Sequence, residues 1–127
     1  MRLLSALVFL LAALPASAAC LNADGPPETV TGRLSLHHFR DPMNRREDTF
    51  ILTLSAPACL TGTDDTDKVD LSTTMDVFSI ANPLRARLKA LVGRKVTVTG
   101  KPFGAITVHH HSPIVMEISA VGAATGR

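Results

Sequence analysis

Short runs in which apolar and polar residues alternate recur along most of this chain, and they restrict it to a small β-rich fold. Alternation with a period of two is typical of strands that bury one face. In the first run Val30, Leu34 and Leu36 share a face, opposite Arg33 and Ser35. Five strands are predicted: one from Glu28, one over Phe50–Leu54 that ends by Pro57, one within Val69–Ile80, one from Lys95 to Gly100 or Phe103, and one over Ile114–Val121.

Only one segment has helical spacing. Asn82-Pro83 supplies a helix cap followed by proline at the first helical position, and Gly93 ends the segment. Its apolar stripe consists of Leu84, Leu88, Leu91 and Val92. One apolar stripe with basic residues opposite predicts a helix that lies on the sheet.

Three strands, a helix and two further strands are the element order of an OB-fold, a five-stranded Greek-key barrel. The fold class predicted is therefore mainly β with one helix, a small OB-like barrel with β-β-β-α-β-β order. An SH3-like barrel is the alternative. About 110 residues remain after the N-terminal segment, the size of a single domain.

The N-terminus predicts export. Arg2 precedes an apolar run from Leu3 to Leu14, and Ala16-Ser17-Ala18 forms a cleavage site for a signal peptide. We therefore expect residues 1–18 to be a signal peptide, 19–122 a single OB-like domain, and 123–127 a frayed tail. The apolar run is too short for a membrane span, and the expected location is periplasmic or secreted.

Two cysteines, Cys20 and Cys59, follow the predicted cut. In an oxidising compartment such a pair forms a disulfide, and closing a loop of about 40 residues stabilises by about 4 kcal/mol in the chain-entropy model. The alternative is a lipoprotein acylated at Cys20, but Ser17 stands where such proteins usually carry leucine.

Charge and aromatic content argue against nucleic acid as a partner. The chain has 13 basic and 11 acidic residues, and the loss of Arg2 leaves 12 against 11. It contains no Trp and no Tyr. Nucleic-acid binding relies on many cationic contacts and on stacking platforms, so neither nucleic acid nor an anionic membrane is the expected partner.

The five histidines fall in two places. His37 and His38 end the first strand, and His109, His110 and His111 lie in the connection between the fourth and fifth strands. Two loops of an OB barrel at these places flank one binding face. On an extended chain His109 and His111 point the same way, about 6.6 Å apart, while His110 points away.

This arrangement predicts a candidate metal site made of His109, His111, His37 and His38, for zinc or copper, with nickel as a further imidazole-binding metal. Asp41 or Glu47 supplies an oxygen ligand or a hydrogen-bond acceptor for a histidine. Two alternatives stand beside it: a polar loop whose histidines pin it to the barrel, and a pH-responsive surface.

Neither catalysis nor calcium binding is indicated. Ser112 follows His111, but neighbours in an extended chain face opposite ways, and Glu47 is the one nearby acid for a hydrolytic metal. The Asp64-Asp65-Thr66-Asp67 segment lacks the glycine and the final glutamate of an EF-hand loop. We expect the protein not to be an enzyme.

Gly100-Lys101-Pro102-Phe103, Thr107 to Pro113 and Ile114-Val115-Met116 resemble the signature of a family of bacterial exported proteins, family four-four-three-one of the domains of unknown function. The resemblance extends to Val30-Thr31-Gly32, Phe50-Ile51-Leu52, Pro57 to Cys59 and Leu91 to Gly100. The family's His-His-His-Thr-Pro stretch corresponds to His109–Pro113, with Ser112 in place of threonine and Val108 in place of the preceding glycine. It implies export and a small β-rich domain, and no activity.

The function expected from the sequence is a non-catalytic binding module of the cell envelope that holds a transition metal at the histidines. The alternative is a protein-interaction or structural envelope domain without metal, whose partner is an envelope protein.

Overall fold

The computed structural model describes residues 19–125. The predicted signal peptide and the last two residues lie outside this range. The elements in chain order are β1 (Ala19–Asn22), β2 (Glu28–Arg40), β3 (Arg46–Thr61), a 3₁₀ turn (Asp65–Asp67), β4 (Val69–Phe78), α1 (Asn82–Leu91), β5 (Lys95–Gly104) and β6 (Ile114–Ala123).

Five of these strands close into a barrel. β3 pairs antiparallel with β2, β2 with β5, and β5 with β6. β6 then pairs parallel with β4, and β4 pairs antiparallel with β3, which completes the ring. This pairing, with α1 between β4 and β5, confirms the predicted OB-like fold with β-β-β-α-β-β order.

The barrel interior is filled by the alternate residues that the sequence assigns to the core. Leu34, Leu52, Val98 and Met116 are fully buried. Phe50 packs against the same cluster from the barrel end. Leu88 and Leu91 of α1 join the cluster, so the helix covers one end of the barrel with its apolar stripe.

The N-terminus carries a strand that the sequence pattern does not predict. β1 pairs parallel with the end of β3, with Cys20 opposite Cys59. These two residues form the predicted disulfide. Of residues 20–22 in this strand only Leu21 is buried, so the strand is too short to leave an alternating pattern in the sequence.

β3 is longer than predicted at both ends. It begins at Arg46, inside the predicted loop, and it continues through Pro57, which was expected to end it. Pro57 is exposed and lies between Thr53 and Ala58, where the register with β4 shifts. Proline is tolerated there because its missing N–H interrupts no ladder hydrogen bond.

The ends of α1 also differ from the prediction. Asn82 is the first helical residue, the cap position belongs to Ala81, and no side chain caps the helix. Gly93 adopts a φ of 85° just beyond the helix, as a terminating glycine does. Among residues 19–125 no helix is long and apolar enough to cross a membrane.

The C-terminus is ordered further than predicted. Ala123 belongs to β6 and pairs with Val96, and the Ala124 N–H donates to the Lys95 carbonyl at 2.9 Å. Ala123 and Ala124, expected in the frayed tail, are thus held against β5, and residues 126–127 of that tail lie outside the described range.

Candidate functional site

The β2–β3 hairpin projects from the barrel and carries the first half of the site. Its tip, residues 41–45, is organised by Asp41. One carboxylate oxygen accepts the N–H groups of Met43 and Arg45 at 2.9 and 2.8 Å, and the other accepts Arg45 Nε at 2.8 Å. The backbone hydrogen bond from Arg45 is the main reason that the pKa of Asp41 lies below its usual range.

The second half is the β5–β6 connection, residues 105–113, which we call the histidine loop. Each of its three histidines contacts a different partner. His109 Nδ1 donates to Glu47 Oε1 at 3.0 Å. His110 turns the other way, where its Nδ1 accepts the Ile106 N–H at 3.0 Å and its ring meets the Phe103 ring edge-on.

The third histidine of this loop, His111, is the most buried of the three. Its ring stacks on Phe39 of β2, with centroids 3.6 Å apart and planes 8° from parallel. The backbone N–H of His111 donates to Asp76 Oδ2 of β4 at 2.7 Å. The histidine loop is thereby fixed to β2 and β4, as the loop-pinning alternative predicts.

Glu47 brings two of the predicted metal ligands together. His109 contacts one of its carboxylate oxygens, and His111 Nε2 lies 3.7 Å from the other. Glu47 is opposite Phe39 in the ladder of the hairpin, so its side chain lies on the face that the histidine loop covers. Glu47 is one of the two residues, with Asp41, that the sequence predicts as an oxygen ligand or hydrogen-bond acceptor at this site.

The other two predicted ligands lie apart from this carboxylate. His37 Nε2 is 2.9 Å from Ser35 Oγ, and its ring centroid is 6.1 Å from that of Phe39. His38 bonds Asp48 at 2.5 Å, on the opposite face of the hairpin. Within residues 19–125 no group of three or more His, Cys, Asp or Glu side chains is arranged to hold a metal ion.

Buried polar atoms without a hydrogen-bond partner are concentrated at this one place. Across residues 19–125 there are four such side-chain atoms: Glu47 Oε2, Asp76 Oδ1, His111 Nε2 and Ser112 Oγ. A buried polar atom without a partner costs about 1–3 kcal/mol, so native proteins keep few of them, and those they keep need an explanation. Here all four belong to the histidine loop or to the carboxylates that it contacts.

A cleft of about 270 Å³ lies beside Glu47 and Asp76 and is lined mainly by residues of β3, β4, α1 and the histidine loop. Its floor is apolar and includes Phe50 and Phe78. Glu47, Asp76 and His109 line one side, and Arg85 of α1 lines another. The strands and loops that form this cleft correspond to the surface that OB-folds use for binding.

Sequence reasoning did not identify Asp76 and Phe39 as site residues. Asp76 is 4% exposed and interrupts the apolar run from Met75 to Phe78, which is a detectable anomaly in a buried strand. Phe39 follows the His37-His38 pair at the strand end. Its role depends on stacking against a loop about 70 residues later, which strand periodicity does not reveal.

The chain is a small OB-like barrel with a cleft beside the histidine loop. Residues 74–122 match the family model described as Domain of unknown function (DUF4431), which confirms the family resemblance over this segment. No curated protein matches the chain.

One similar solved structure is a mitochondrial single-stranded DNA binding protein from S. cerevisiae, Rim1. It is 13% identical, with a TM-score of 0.37, over 82% of this chain and 99% of that chain.

Proposed function

We propose that this protein is a non-catalytic binding module of the cell envelope that holds a cationic ligand in the cleft beside the histidine loop. The observation that carries the proposal is the concentration at this place of four buried polar atoms without a hydrogen-bond partner. Two of them belong to Glu47 and Asp76, which line the cleft, and a ligand that donates to both carboxylates would recover part of the free energy that the missing hydrogen bonds cost.

The chemistry of the cleft favours a cation. Two of the four atoms, Glu47 Oε2 and Asp76 Oδ1, are carboxylate oxygens, which accept hydrogen bonds when ionised. Phe50 and Phe78 offer apolar surface beside them. A ligand with an ammonium group on a short apolar stem fits both properties, because it donates to the carboxylates and covers the floor.

A transition metal ion is the second form of cation that the site favours. His111 Nε2 and Glu47 Oε2 lie 3.7 Å apart. Two ligands bound tetrahedrally to zinc at about 2.1 Å are separated by about 3.4 Å. A shift of a few tenths of an ångström would bring His111 Nε2 and Glu47 Oε2 to the separation of two ligands of one zinc or copper ion, and His109, which contacts the other oxygen of Glu47, would be the third ligand.

Location in the periplasm or outside the cell is part of this proposal. The Cys20–Cys59 disulfide is compatible with such a compartment, since disulfides persist where the environment is oxidising. The signal-peptide pattern of residues 1–18 supports the same location.

We propose that the protein is not an enzyme because of how Ser112 and His111, the neighbouring serine and histidine in the site, are placed. Ser112 is 4% exposed, which keeps its hydroxyl from a substrate. The ring of His111 is stacked on Phe39 and its Nε2 is directed to Glu47 rather than to a nucleophile. Activation of a nucleophile needs the base within hydrogen-bond reach.

Titration of the wild-type protein with zinc and with butylammonium, followed by calorimetry and amide NMR, tests the proposal. Zinc should bind with a Kd below about 10 μM, which corresponds to a binding free energy of about 7 kcal/mol, or butylammonium should shift the amide resonances of residues that line the cleft. Glu47→Gln should weaken the binding of either cation at least tenfold, and Asp76→Asn should weaken the binding of butylammonium at least tenfold. Glu28→Gln, a carboxylate at the start of β2, is the matched control.

The two probes distinguish the forms of the proposal. If zinc binds, the His109→Ala, His111→Ala double variant should lose it, which favours the metal. If only butylammonium binds, the ligand is an organic cation. If neither probe binds the wild-type protein, cation binding at this cleft is wrong.

A protein-interaction domain without metal remains the second candidate function. The observation that favours it is the exposure of Met43, Ile106 and Val108, at 74%, 62% and 67%, on the two loops beside the cleft. A pull-down from envelope extract that contains a chelator should then recover a stoichiometric partner. Met43→Ser combined with Val108→Ser should remove that partner, whereas Leu71→Ser, an equally exposed apolar residue on β4, should not.

A further inference from the structure

The β2–β3 hairpin has a second face with different chemistry from the one that the histidine loop covers. Along an extended ladder, alternate residue pairs point to opposite sides. Phe39 and Glu47 point toward the histidine loop. The pairs His38–Asp48 and Arg40–Arg46 therefore lie on the other side, and we call these four residues the arginine face.

Two arginines stand directly opposite each other on this face. Arg40 pairs with Arg46 in the register of β2 and β3. Like charges at directly opposed positions of an antiparallel ladder destabilise it. The hairpin therefore bears a repulsive pair at a position where either arginine could be replaced by a neutral residue without disturbing the barrel core.

The positive charge of the arginine face is only partly neutralised. Arg46 Nε donates to Asp48 Oδ1 at 3.1 Å, but the same oxygen is 2.5 Å from His38 Nδ1. Arg40 Nη1 donates to the Asn44 carbonyl at 3.2 Å, and within residues 19–125 Arg40 has no carboxylate partner. The arginine face thus carries one carboxylate, which contacts His38 and Arg46, beside two guanidinium groups and an imidazole.

The face is open and held in place. A cleft of about 470 Å³ is lined by His38, Phe39, Arg40 and Arg46. Asp41 accepts three hydrogen bonds at the hairpin tip, which fixes the backbone immediately beyond Arg40. The positions of the two arginines on the backbone are set by this hairpin, so a ligand has to order only their side chains.

We infer that the arginine face binds a phosphoryl oxyanion, held between Arg40 and Arg46. Arg46 contacts Asp48 through Nε and His38 through Nη2. Arg40 donates to the Asn44 carbonyl through Nη1. The remaining N–H groups of the two opposed guanidinium groups can hold one tetrahedral anion from both sides. Bound phosphate would neutralise the repulsion across the ladder. Asp48 of the arginine face also lines the proposed cation cleft, but neither arginine does, so the inference rests on residues that the cation proposal does not use.

The same chemistry is offered by a soluble phosphate compound and by a phospholipid headgroup, so the test uses both. Inorganic phosphate should shift the amides of His38, Arg40 and Arg46 with a saturable profile in the millimolar range. Arg40→Gln and Arg46→Gln should each weaken the binding at least tenfold. Arg94→Gln, an exposed arginine in the turn before β5, should change it less than twofold.

Vesicles identify the source of the phosphoryl group. If the protein sediments with phosphatidylglycerol vesicles, and if either arginine substitution and free phosphate reduce that sedimentation, the site binds a lipid headgroup. Phosphate binding without vesicle binding assigns it to a soluble phosphate compound. Absence of saturable phosphate binding, or an equal loss in Arg94→Gln, overturns the inference, because the effect would then be general electrostatics. Folding of each variant is verified by its amide spectrum.

Discussion

At the scale of single residues, the three consecutive histidines act through three separate contacts. His109 contacts a carboxylate, His110 accepts two backbone N–H groups, and His111 stacks on a phenylalanine. Because each ring has its own partner, the loop conformation depends on the order of the three residues. The triplet therefore organises a loop and also places two imidazoles at one glutamate.

Asp76 is the residue on which the position of His111 most directly depends. Asp76→Ala removes the acceptor of the His111 N–H and should lower the free energy of unfolding by about 1–3 kcal/mol. Asp76→Asn keeps an oxygen acceptor at the same place and should lose less than half as much. Urea denaturation of the two variants compares them; equal losses would show that the hydrogen bond is not what Asp76 contributes.

Asp41 makes the hairpin tip sensitive to acid. The hydrogen bond from the Arg45 N–H, with those from the Arg45 side chain and the Met43 N–H, lowers the pKa of Asp41 in the folded state. In the unfolded state Asp41 therefore binds its proton at a higher pH than in the folded state. The stabilisation that ionised Asp41 gives the folded state is present above the ordinary aspartate pKa of about 4 and is lost as the pH falls through the folded-state pKa.

The measurement is an NMR titration of the Met43 and Arg45 amides. Both should keep their shifts down to about pH 4 and move together below it. In Asp41→Asn the acid-dependent movement should disappear. Movement centred above the ordinary aspartate value in the wild-type protein would contradict the lowered pKa.

At the scale of elements, β5 and the 3₁₀ turn approach each other at Gly104. The Gly104 N–H donates to Asp67 Oδ1 at 2.8 Å, and a Cβ added at Gly104 would lie 1.6 Å from the Thr66 carbonyl oxygen. A side chain there must displace the turn. The connection from β3 to β4 is thus packed against the end of β5 through backbone atoms.

Gly104→Ala should consequently destabilise the protein by about 1–3 kcal/mol, the usual cost of overpacking. Gly122→Ala on β6 is the matched control, because a Cβ at that position meets no atom within 4 Å. Thermal unfolding of both variants gives the comparison. A Gly104→Ala protein as stable as the control would show that the turn moves away without cost.

The elements themselves could largely be predicted from periodicity, because strands that bury one face repeat every two residues. Leu34, Leu52, Val98 and Met116 all lie where alternation places them. Pro57 misled the prediction because a proline at an irregularity of the ladder resembles a proline that ends a strand. The site could be predicted only in part: the histidines are visible in the sequence, whereas Asp76 and Phe39 become relevant through pairing that the chain makes at long range.

At the scale of the whole molecule, the barrel is closed by β4, which pairs with β3 on one side and with β6 on the other. This closure brings the hairpin tip and the histidine loop to the same end. The element order was sufficient to predict that arrangement, since loop positions in an OB barrel follow from its connectivity. β1 was missed because it has four residues and its main contribution is a covalent bond.

The disulfide joins β1 to the barrel across 39 residues of chain. Replacing Cys20 and Cys59 together by serine should lower the stability by about 2–5 kcal/mol, while the five barrel strands keep their pairing. Thermal unfolding and far-UV circular dichroism measure the two effects. Wild-type protein treated with reductant should behave like the double variant; if it unfolds at its unreduced temperature, the bond contributes nothing to stability.

β3 pairs with β1, β2 and β4 along its sixteen residues. Because Cys59 lies in this strand, a mechanical load applied at the N-terminus would pass through the disulfide into β3 instead of peeling β1 from the sheet one hydrogen bond at a time. Shearing a strand that has neighbours on both sides requires many bonds to break together. A pull from a partner attached at this end would therefore load β3 before β1 separated from it.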